Sequence, residues 1–205
     1  MSIINDAVPQ ASVRQVELVK VNDYEPWFYQ YNYKIFDKKK TIKPTKFNLP
    51  SESELLSFGN ALTMFGYKFD IEDFYKNYIH ISTEELNENT IIEGRLPIRT
   101  VEQIMENYIK KEELDIHYQD ASILIYEDLL KVVKNNWPTI VWYIEENEIE
   151  TPLNERWQIS EVGLAYKIEN GNIYIFNPID RKDKIYNINK FKQYWEKCGH
   201  HAFLI

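Results

Sequence analysis

The stretch LPSESELLSFGNALTMFGY, residues 49–67, carries the pattern that decides the fold. Behind Leu49-Pro50, apolar residues recur at spacings of three and four, which predicts an amphipathic helix carrying Leu55, Phe58, Ala61, Leu62 and Phe65. Ser51, followed three residues later by Glu54, predicts a capping box at the start of this helix. Gly66 predicts its end, because glycine readily adopts the left-handed conformation of a helix C-cap.

The last third of the chain has a different period and predicts a sheet. Thr139–Ile144 is a continuous apolar run, typical of a buried strand. Two further runs, Glu161–Ile168 and Ile173–Phe176, flank the pair Asn170-Gly171, which is the strongest short signal for a hairpin. Further short strands are predicted at 185–188 and 202–205, on either side of a helix over 189–197.

The other segments complete an α+β domain, with an N-terminal helical half packed on a C-terminal antiparallel sheet. Alternating residues predict a strand at 13–21, and the aromatic-rich stretch 24–36 predicts a strand or hairpin. Periodic apolar residues predict helices near 71–78, 100–108 and 126–134, with a linker at 91–99. Residues 1–12 lack periodicity, so we expect a flexible N-terminus followed by one domain, 13–205.

Composition excludes several classes of function. With 24 basic and 32 acidic residues among 205, the net charge is −8, so the broad basic surface of a nucleic-acid-binding protein is absent. No apolar run approaches the ~18 residues of a membrane span. The single cysteine excludes an internal disulfide, and no metal or cofactor motif is present. We expect a cytoplasmic protein without a metal or cofactor, and the abundance of Ile, Asn and Lys suggests a bacterial source.

Two segments together resemble papain-like cysteine peptidases of the bacteriocin leader-peptidase, or double-glycine peptidase, family. Residues 49–67 match without a gap the family's helix-opening pattern, which runs Leu-Pro-Thr-Gly-Cys-Glu, then a serine, apolar residues and Gly-Tyr. Pro138–Trp142 is similar to its Pro-Val-Ile-Val-Trp strand, and Ile173–Pro178 to its Val-Tyr-Val-Asn-Asp-Pro strand end. The family's closing pattern is matched by Tyr186, Phe191, Trp195, Gly199 and Ala202. The resemblance implies a papain-like fold.

The resemblance also implies where a catalytic triad would lie, and none of these positions holds the family's residue. Ser53 occupies the place of the nucleophilic cysteine, and Asn177 that of the aspartate. A gap-free count places the general-base histidine at Glu161, and a longer hairpin would place it at Ser160 or Ile159. The oxyanion-hole glutamine would fall near Thr45. A serine hydroxyl needs an adjacent base to become a nucleophile, so we expect the peptidase activity to be absent.

We therefore expect a peptidase-like protein that binds a ligand in the former active-site cleft. In the relatives that the resemblance implies, this cleft holds an extended peptide. The ligand expected here is a peptide, a carrier-bound chain or a small molecule. The candidate cleft residues are Glu52, Ser53, Glu54, Trp142, Trp157, Glu161 and Asn177.

Two alternatives remain open. In the first, Ser53 serves an enzyme of altered chemistry, an acyl or amide-bond transferase or hydrolase in a natural-product pathway. In the second, the protein is an immunity or regulatory subunit of an active partner protein. Cys198, at the end of the last predicted helix, is far along the chain from the family's nucleophile position.

Overall fold

The computed structural model of the protein describes residues 36–47, 49–81, 95–116, 118–122, 124–145, 152, 156 and 159–205, and the backbone alone of 17–20 and 27–30. The flexible N-terminus expected at 1–12 lies outside these residues, as does the candidate cleft residue Trp157. Of the aromatic-rich stretch 24–36, the structure describes the backbone of 27–30 and the side chain of Phe36.

Five helices lie in the described ranges. They are α1 (Glu52–Phe65), α2 (Ile71–Phe74), α3 (Ile98–Lys111), α4 (Tyr126–Lys134) and α5 (Ile188–Lys197). A π-helical turn, Tyr75–Ile79, continues α2, and a short 3₁₀ turn spans Lys38–Lys40. Gly66 ends α1 in the left-handed conformation, with φ of 92°, as the sequence predicts. None of these helices has the length and apolarity needed to cross a membrane.

The described strands form two antiparallel sheets. The smaller pairs β1 (Glu17–Lys20) with β2 (Trp27–Gln30). The larger contains β3 (Gln119–Asp120), β4 (Thr139–Tyr143), β5 (Glu161–Glu169), β6 (Asn172–Asn177), β7 (Lys182–Asn187) and β8 (Ala202–Leu204). Its spatial order is β3-β8-β4-β5-β6-β7, so β8 lies inside the sheet beside β4. The predicted α+β class, with helices packed on an antiparallel sheet, is confirmed.

The larger sheet is covered on both faces, which explains the continuous apolar run of β4. Ile140 and Trp142 belong to a first core, which is shared with α1, α2 and α3. Val141 and Tyr143 belong to a second core, which is shared with α4 and α5. Because successive strand residues point to opposite faces, a strand with both faces covered is apolar at nearly every position. Thr139, the buried polar residue at the start of β4, donates its hydroxyl to the Trp137 carbonyl oxygen at 2.9 Å.

The predicted hairpin joins β5 to β6 through Asn170-Gly171. Both residues have positive φ, 50° and 72° respectively. Two consecutive left-handed residues define the type I′ turn that suits the twist of a two-residue hairpin. The β5–β6 register that starts at this hairpin shifts between Lys167 and Ala165. The first residues of β5 lie beyond this irregularity, next to the candidate site at the N-terminus of α1.

Candidate functional site

The turn ahead of α1 differs from the predicted capping box. Ser51 has a left-handed backbone, with φ of 54°, and its side chain makes no cap hydrogen bond. Its Oγ instead accepts a hydrogen bond from the Leu96 backbone N–H at 3.0 Å. The Glu54 carboxylate pairs with Arg95, Nε to Oε1 at 3.3 Å. The predicted capping box is wrong, because both of its side chains bind the segment 95–96.

Glu52, the first residue of α1, is buried and binds the loop that precedes the helix. One carboxylate oxygen accepts a hydrogen bond from the Leu49 N–H at 3.3 Å, and the other accepts from the Thr45 N–H. Hydrogen bonds to an ionised acceptor are among the strong ones, so Glu52 ties this loop to α1. The position near Thr45, where the resemblance implies an oxyanion-hole side chain, therefore lies beside a negative charge.

Ser53 belongs to a polar network centred on Arg95. Its hydroxyl donates to Glu54 Oε2 at 2.7 Å, and its Oγ accepts from Arg95 Nη2 at 3.5 Å. Arg95 Nη1 donates to Ser160 twice, to Oγ at 3.0 Å and also to the backbone carbonyl oxygen. The guanidinium thus lies between Ser53 on α1 and Ser160, the residue that precedes β5.

The sequence does not predict Arg95 as a site residue, because the pattern of residues 91–99 predicts a linker. A lone arginine in a linker gives no local signal. The one indirect clue was the pair of acidic residues beside Ser53, since a buried carboxylate needs a cation or several donors. Glu54 is only 2% exposed.

Glu161 lies on the other face of the sheet from α1. It is directly opposite Tyr143 in the β4–β5 register, and residues directly opposite in an antiparallel pair share a face. Tyr143 donates its hydroxyl to Glu161 Oε2 at 3.2 Å, and Lys184 lies 3.7 Å from the same oxygen. Of the three positions considered for the base, Ser160 is the one hydrogen-bonded to the Ser53 network.

Asn177 ends β6 and binds its own turn. Its Oδ1 accepts hydrogen bonds from the backbone N–H groups of Ile179 at 2.9 Å and Asp180 at 3.4 Å. The hydrogen-bonding capacity of this oxygen is therefore used within the turn that follows β6, in an Asx-type turn. The structure therefore brings Ser53, Glu54 and Ser160 together, and leaves Glu161 and Asn177 in other surroundings.

Trp142 and Cys198 lie in the first core. The Trp142 side chain is fully buried, and its indole N–H has no hydrogen-bond partner among the described residues. Cys198 is 1% exposed, and burial raises the pKa of its thiol to about 11, while a hydrogen bond with Ser160 acts in the opposite direction. Because the thiolate is the reactive form, this protonated thiol is a poor nucleophile at neutral pH.

The buried Tyr75 hydroxyl lies next to the turn ahead of α1 and is affected by both carboxylates there. Burial, and then the charges of Glu52 and Glu54, raise the pKa of the Tyr75 hydroxyl. This hydroxyl donates to the Pro50 carbonyl oxygen at 2.7 Å, directly beneath the turn. Two carboxylates thus flank Ser53 in sequence and act on the same buried group.

No protein-family model matches the chain, and no curated protein matches it either. Among solved structures, the fold is similar to that of a Bacillus anthracis protein described as a "putative C39-like peptidase", with a TM-score of 0.52. The two chains are 15% identical, and the match covers 84% of this chain and 94% of the other. The fold is C39-like. The expected papain-like α+β architecture is therefore confirmed.

In this C39-like fold, His200 contacts α5 and His201 contacts the segment after β3. The His200 ring stacks on Trp195, with 4.9 Å between ring centroids, and His201 Nδ1 lies 3.4 Å from Ser122 Oγ. His80 ends the π-helical turn. Among the described residues, no group of three or more His, Cys, Asp or Glu side chains could hold a metal ion.

Proposed function

We propose that this protein is a C39-like protein without peptidase activity, which binds a peptide or a carrier-bound chain between the first turn of α1 and the start of β5. We call this region the former cleft. The observation that carries the proposal is the position of Arg95 between Ser53 and Ser160. A nucleophile and its base must be within hydrogen-bond reach, and a guanidinium has no acceptor for a proton. The carboxylate within reach of the Ser53 hydroxyl, that of Glu54, is already paired with Arg95.

The charges around Ser53 support the same proposal. Acyl transfer builds negative charge on the substrate oxygen, and enzymes stabilise it with donors aimed at that oxygen. Here the loop near Thr45 directs an N–H toward the Glu52 carboxylate, which competes for that donor. A second buried carboxylate, Glu54, is the immediate neighbour of Ser53. The Glu52 carboxylate thus occupies a donor that an oxyanion would need, and the donors of Arg95 are engaged by Glu54 and Ser160.

The absence of nucleophilic chemistry is tested with a fluorophosphonate probe, followed by intact-protein mass spectrometry. We expect no adduct on Ser53, because its hydroxyl donates to a carboxylate that is already paired with Arg95. Ser53→Ala serves as the control. An adduct present in the wild type and lost in Ser53→Ala would contradict the proposal and favour the altered-chemistry enzyme.

Ligand binding is tested by calorimetric titration with a panel of extended peptides of about ten residues. Ile159, which immediately precedes Ser160, is 50% exposed, so it presents an apolar surface at the edge of the former cleft. We expect Ile159→Glu to weaken binding by about tenfold, which corresponds to ~1.4 kcal/mol.

Ile185→Glu is the matched control, because Ile185 is 54% exposed and lies on β7, two strands away from β5. Binding equally weakened by both substitutions would place the ligand elsewhere. If no peptide in the panel binds, and only a folded partner protein does, the regulatory-subunit alternative is favoured instead.

A further inference from the structure

Arg95 fills a set of acceptors that arises from two separate parts of the fold. Two acceptors belong to the first turn of α1. Glu54 Oε1 lies 3.3 Å from Arg95 Nε, and Ser53 Oγ lies 3.5 Å from Arg95 Nη2. Ser160 contributes its hydroxyl at 3.0 Å and its carbonyl oxygen from the residue ahead of β5. We call these three residues the guanidinium pocket. Its acceptors match the planar fork of a guanidinium group, which presents five donors.

Two of the three pocket residues, Glu54 and Ser160, are buried, and Ser53 is half-buried. Glu54 is 2% exposed and lies in α1, where Ser53 donates to its second carboxylate oxygen at 2.7 Å. Ser160 is also buried and immediately precedes the five-residue pairing of β5 with β4. A buried carboxylate without a cation is strongly unfavourable. The fold therefore maintains a site that requires a cation at all times.

The donor, in contrast, belongs to a segment without regular structure. Residues 95–97 precede α3, and the Leu96 N–H bond to Ser51 Oγ attaches this segment to the turn ahead of α1. The pocket therefore belongs to α1 and the start of β5, and the group that fills it, the Arg95 guanidinium, comes from a connecting segment of the same chain.

We infer that the guanidinium pocket is the subsite for an arginine side chain of the ligand, and that Arg95 occupies it in the absence of that ligand. This inference rests on the proposed function, since it assigns a ligand class to the former cleft. A ligand arginine would displace Arg95 and take over its contacts to Glu54 and Ser160. Lysine would not replace it, because an ammonium group lacks the planar fork.

The first experiment is chemical rescue of Arg95→Ala. We expect this variant to lose thermal stability, and N-ethylguanidinium at ~5 mM to raise its Tm by ~3 °C or more. Propylammonium at the same concentration is the control for charge and size, and should have no such effect. If Arg95→Ala does not fold, the same comparison is made on Arg95→Lys, which keeps a cation near Glu54.

Two double variants localise the rescue. Arg95→Ala with Glu54→Gln should no longer respond to N-ethylguanidinium, because the carboxylate that pairs with it is gone. Arg95→Ala with Glu106→Gln should respond fully, because Glu106 lies in α3 and pairs with Lys110 at 3.5 Å. Equal effects of both cations, or a rescue that survives Glu54→Gln, would overturn the inference.

The second experiment compares a peptide containing one arginine with its citrulline counterpart, which has the same shape without the charge. We expect Arg95→Ala to bind the arginine peptide ~10-fold or more tightly than the citrulline peptide, and more tightly than the wild type does. The pocket would be rejected, and the proposed function would stand, if the wild type bound the arginine and citrulline peptides equally well and N-ethylguanidinium did not rescue Arg95→Ala. Rescue by N-ethylguanidinium without any peptide binding would reject the proposed function and leave the pocket standing.

Discussion

Glu102 occupies a buried position on α3, although it carries a carboxyl group. Its side chain is 8% exposed, and its Oε1 has no hydrogen-bond partner among the described residues. Burial raises the pKa of this carboxyl to about 7, and the charges of Asp120 and Glu106 add to the shift while Arg99 opposes it. At neutral pH, the group therefore titrates within the folded protein.

The titration of Glu102 predicts a specific dependence of stability on pH. The folded state holds this proton more tightly than an unfolded chain does, so stability falls as pH rises from about 4.5 to about 7. Glu102→Gln should therefore stabilise the protein at about pH 8 by ~1–2 kcal/mol, allowing for solvent screening, and by little at about pH 4.5. Urea denaturation at both pH values measures the difference.

Glu106→Gln provides the comparison for this prediction. Glu106 lies one turn further along α3, is partly exposed and pairs with Lys110. Its substitution should change stability by less than ~1 kcal/mol at either pH. A benefit of Glu102→Gln that was the same at both pH values would rule out titration of this carboxyl as its origin.

At the residue scale, the sequence predicted the parts of the site that local patterns encode. Ser53 was placed by the helix motif around it, and Ser160 was one of three positions left open for the base. Arg95 was missed because its contacts are distant in the chain, 42 residues from Ser53 and 65 from Ser160. No periodicity connects such pairs, so only the assembled fold brings them together.

Strand β5 illustrates how one residue of register changes a site. Glu161 and Ser160 are neighbours in sequence, yet Glu161 contacts Tyr143 and Ser160 contacts Arg95. A shift of one residue moves every side chain of a strand to the opposite face. The sequence predicted the strand and its hairpin correctly, but a motif count that left Glu161, Ser160 and Ile159 open could not choose the face.

Gly163, the third residue of β5, has a steric reason to be glycine. An added Cβ would lie 2.5 Å from Ile175 Cγ2 and 2.8 Å from the backbone oxygen of Phe176 on β6. Because a backbone atom of a paired strand cannot move aside, Gly163→Ala should lower the free energy of unfolding by ~2–3 kcal/mol. Chemical denaturation followed by far-UV circular dichroism measures this loss.

Gly171→Ala is the matched control on the same hairpin. Nothing lies within 4 Å of the Cβ it would add, so its effect comes from the positive φ of 72° alone. A loss of ~1 kcal/mol is expected there. Equal losses for both variants would show that the close approach of β5 and β6 at Gly163 is relieved by a small shift of the strands.

At the scale of the whole molecule, the larger sheet joins the first core and the second core. Leu164 and Ile175 are fully buried on adjacent strands, the first on the α1 side and the second on the side of α4 and α5. Because both cores share the same strands, we expect Leu164→Ala and Ile175→Ala each to lower stability by ~2–4 kcal/mol in a single transition. Tryptophan fluorescence and circular dichroism should report coincident midpoints.

Transitions that separated in either variant would mean that one core unfolds without the other, contrary to the single domain predicted for 13–205. The sequence predicted the α+β class because local patterns of period 3.6 and period 2 follow one another along the chain. It did not predict that β8 inserts between β3 and β4, since strand order depends on pairings between residues far apart in sequence.

Strand β7 is the outer strand of the larger sheet on one side, and its charges have a consequence for self-association. An outer strand can recruit a second copy by continuing the hydrogen-bond ladder, and charged side chains are the usual protection against this. Lys182, Asp183 and Lys184 are consecutive there, with Asp183 paired to Lys38 and Lys184 to Glu145. Replacing both lysines by isoleucine, beside the exposed Ile185, should make the protein form fibrils or oligomers that light scattering detects. Removing the two lysine charges of β7 should therefore allow copies of the protein to assemble while both hydrophobic cores stay intact.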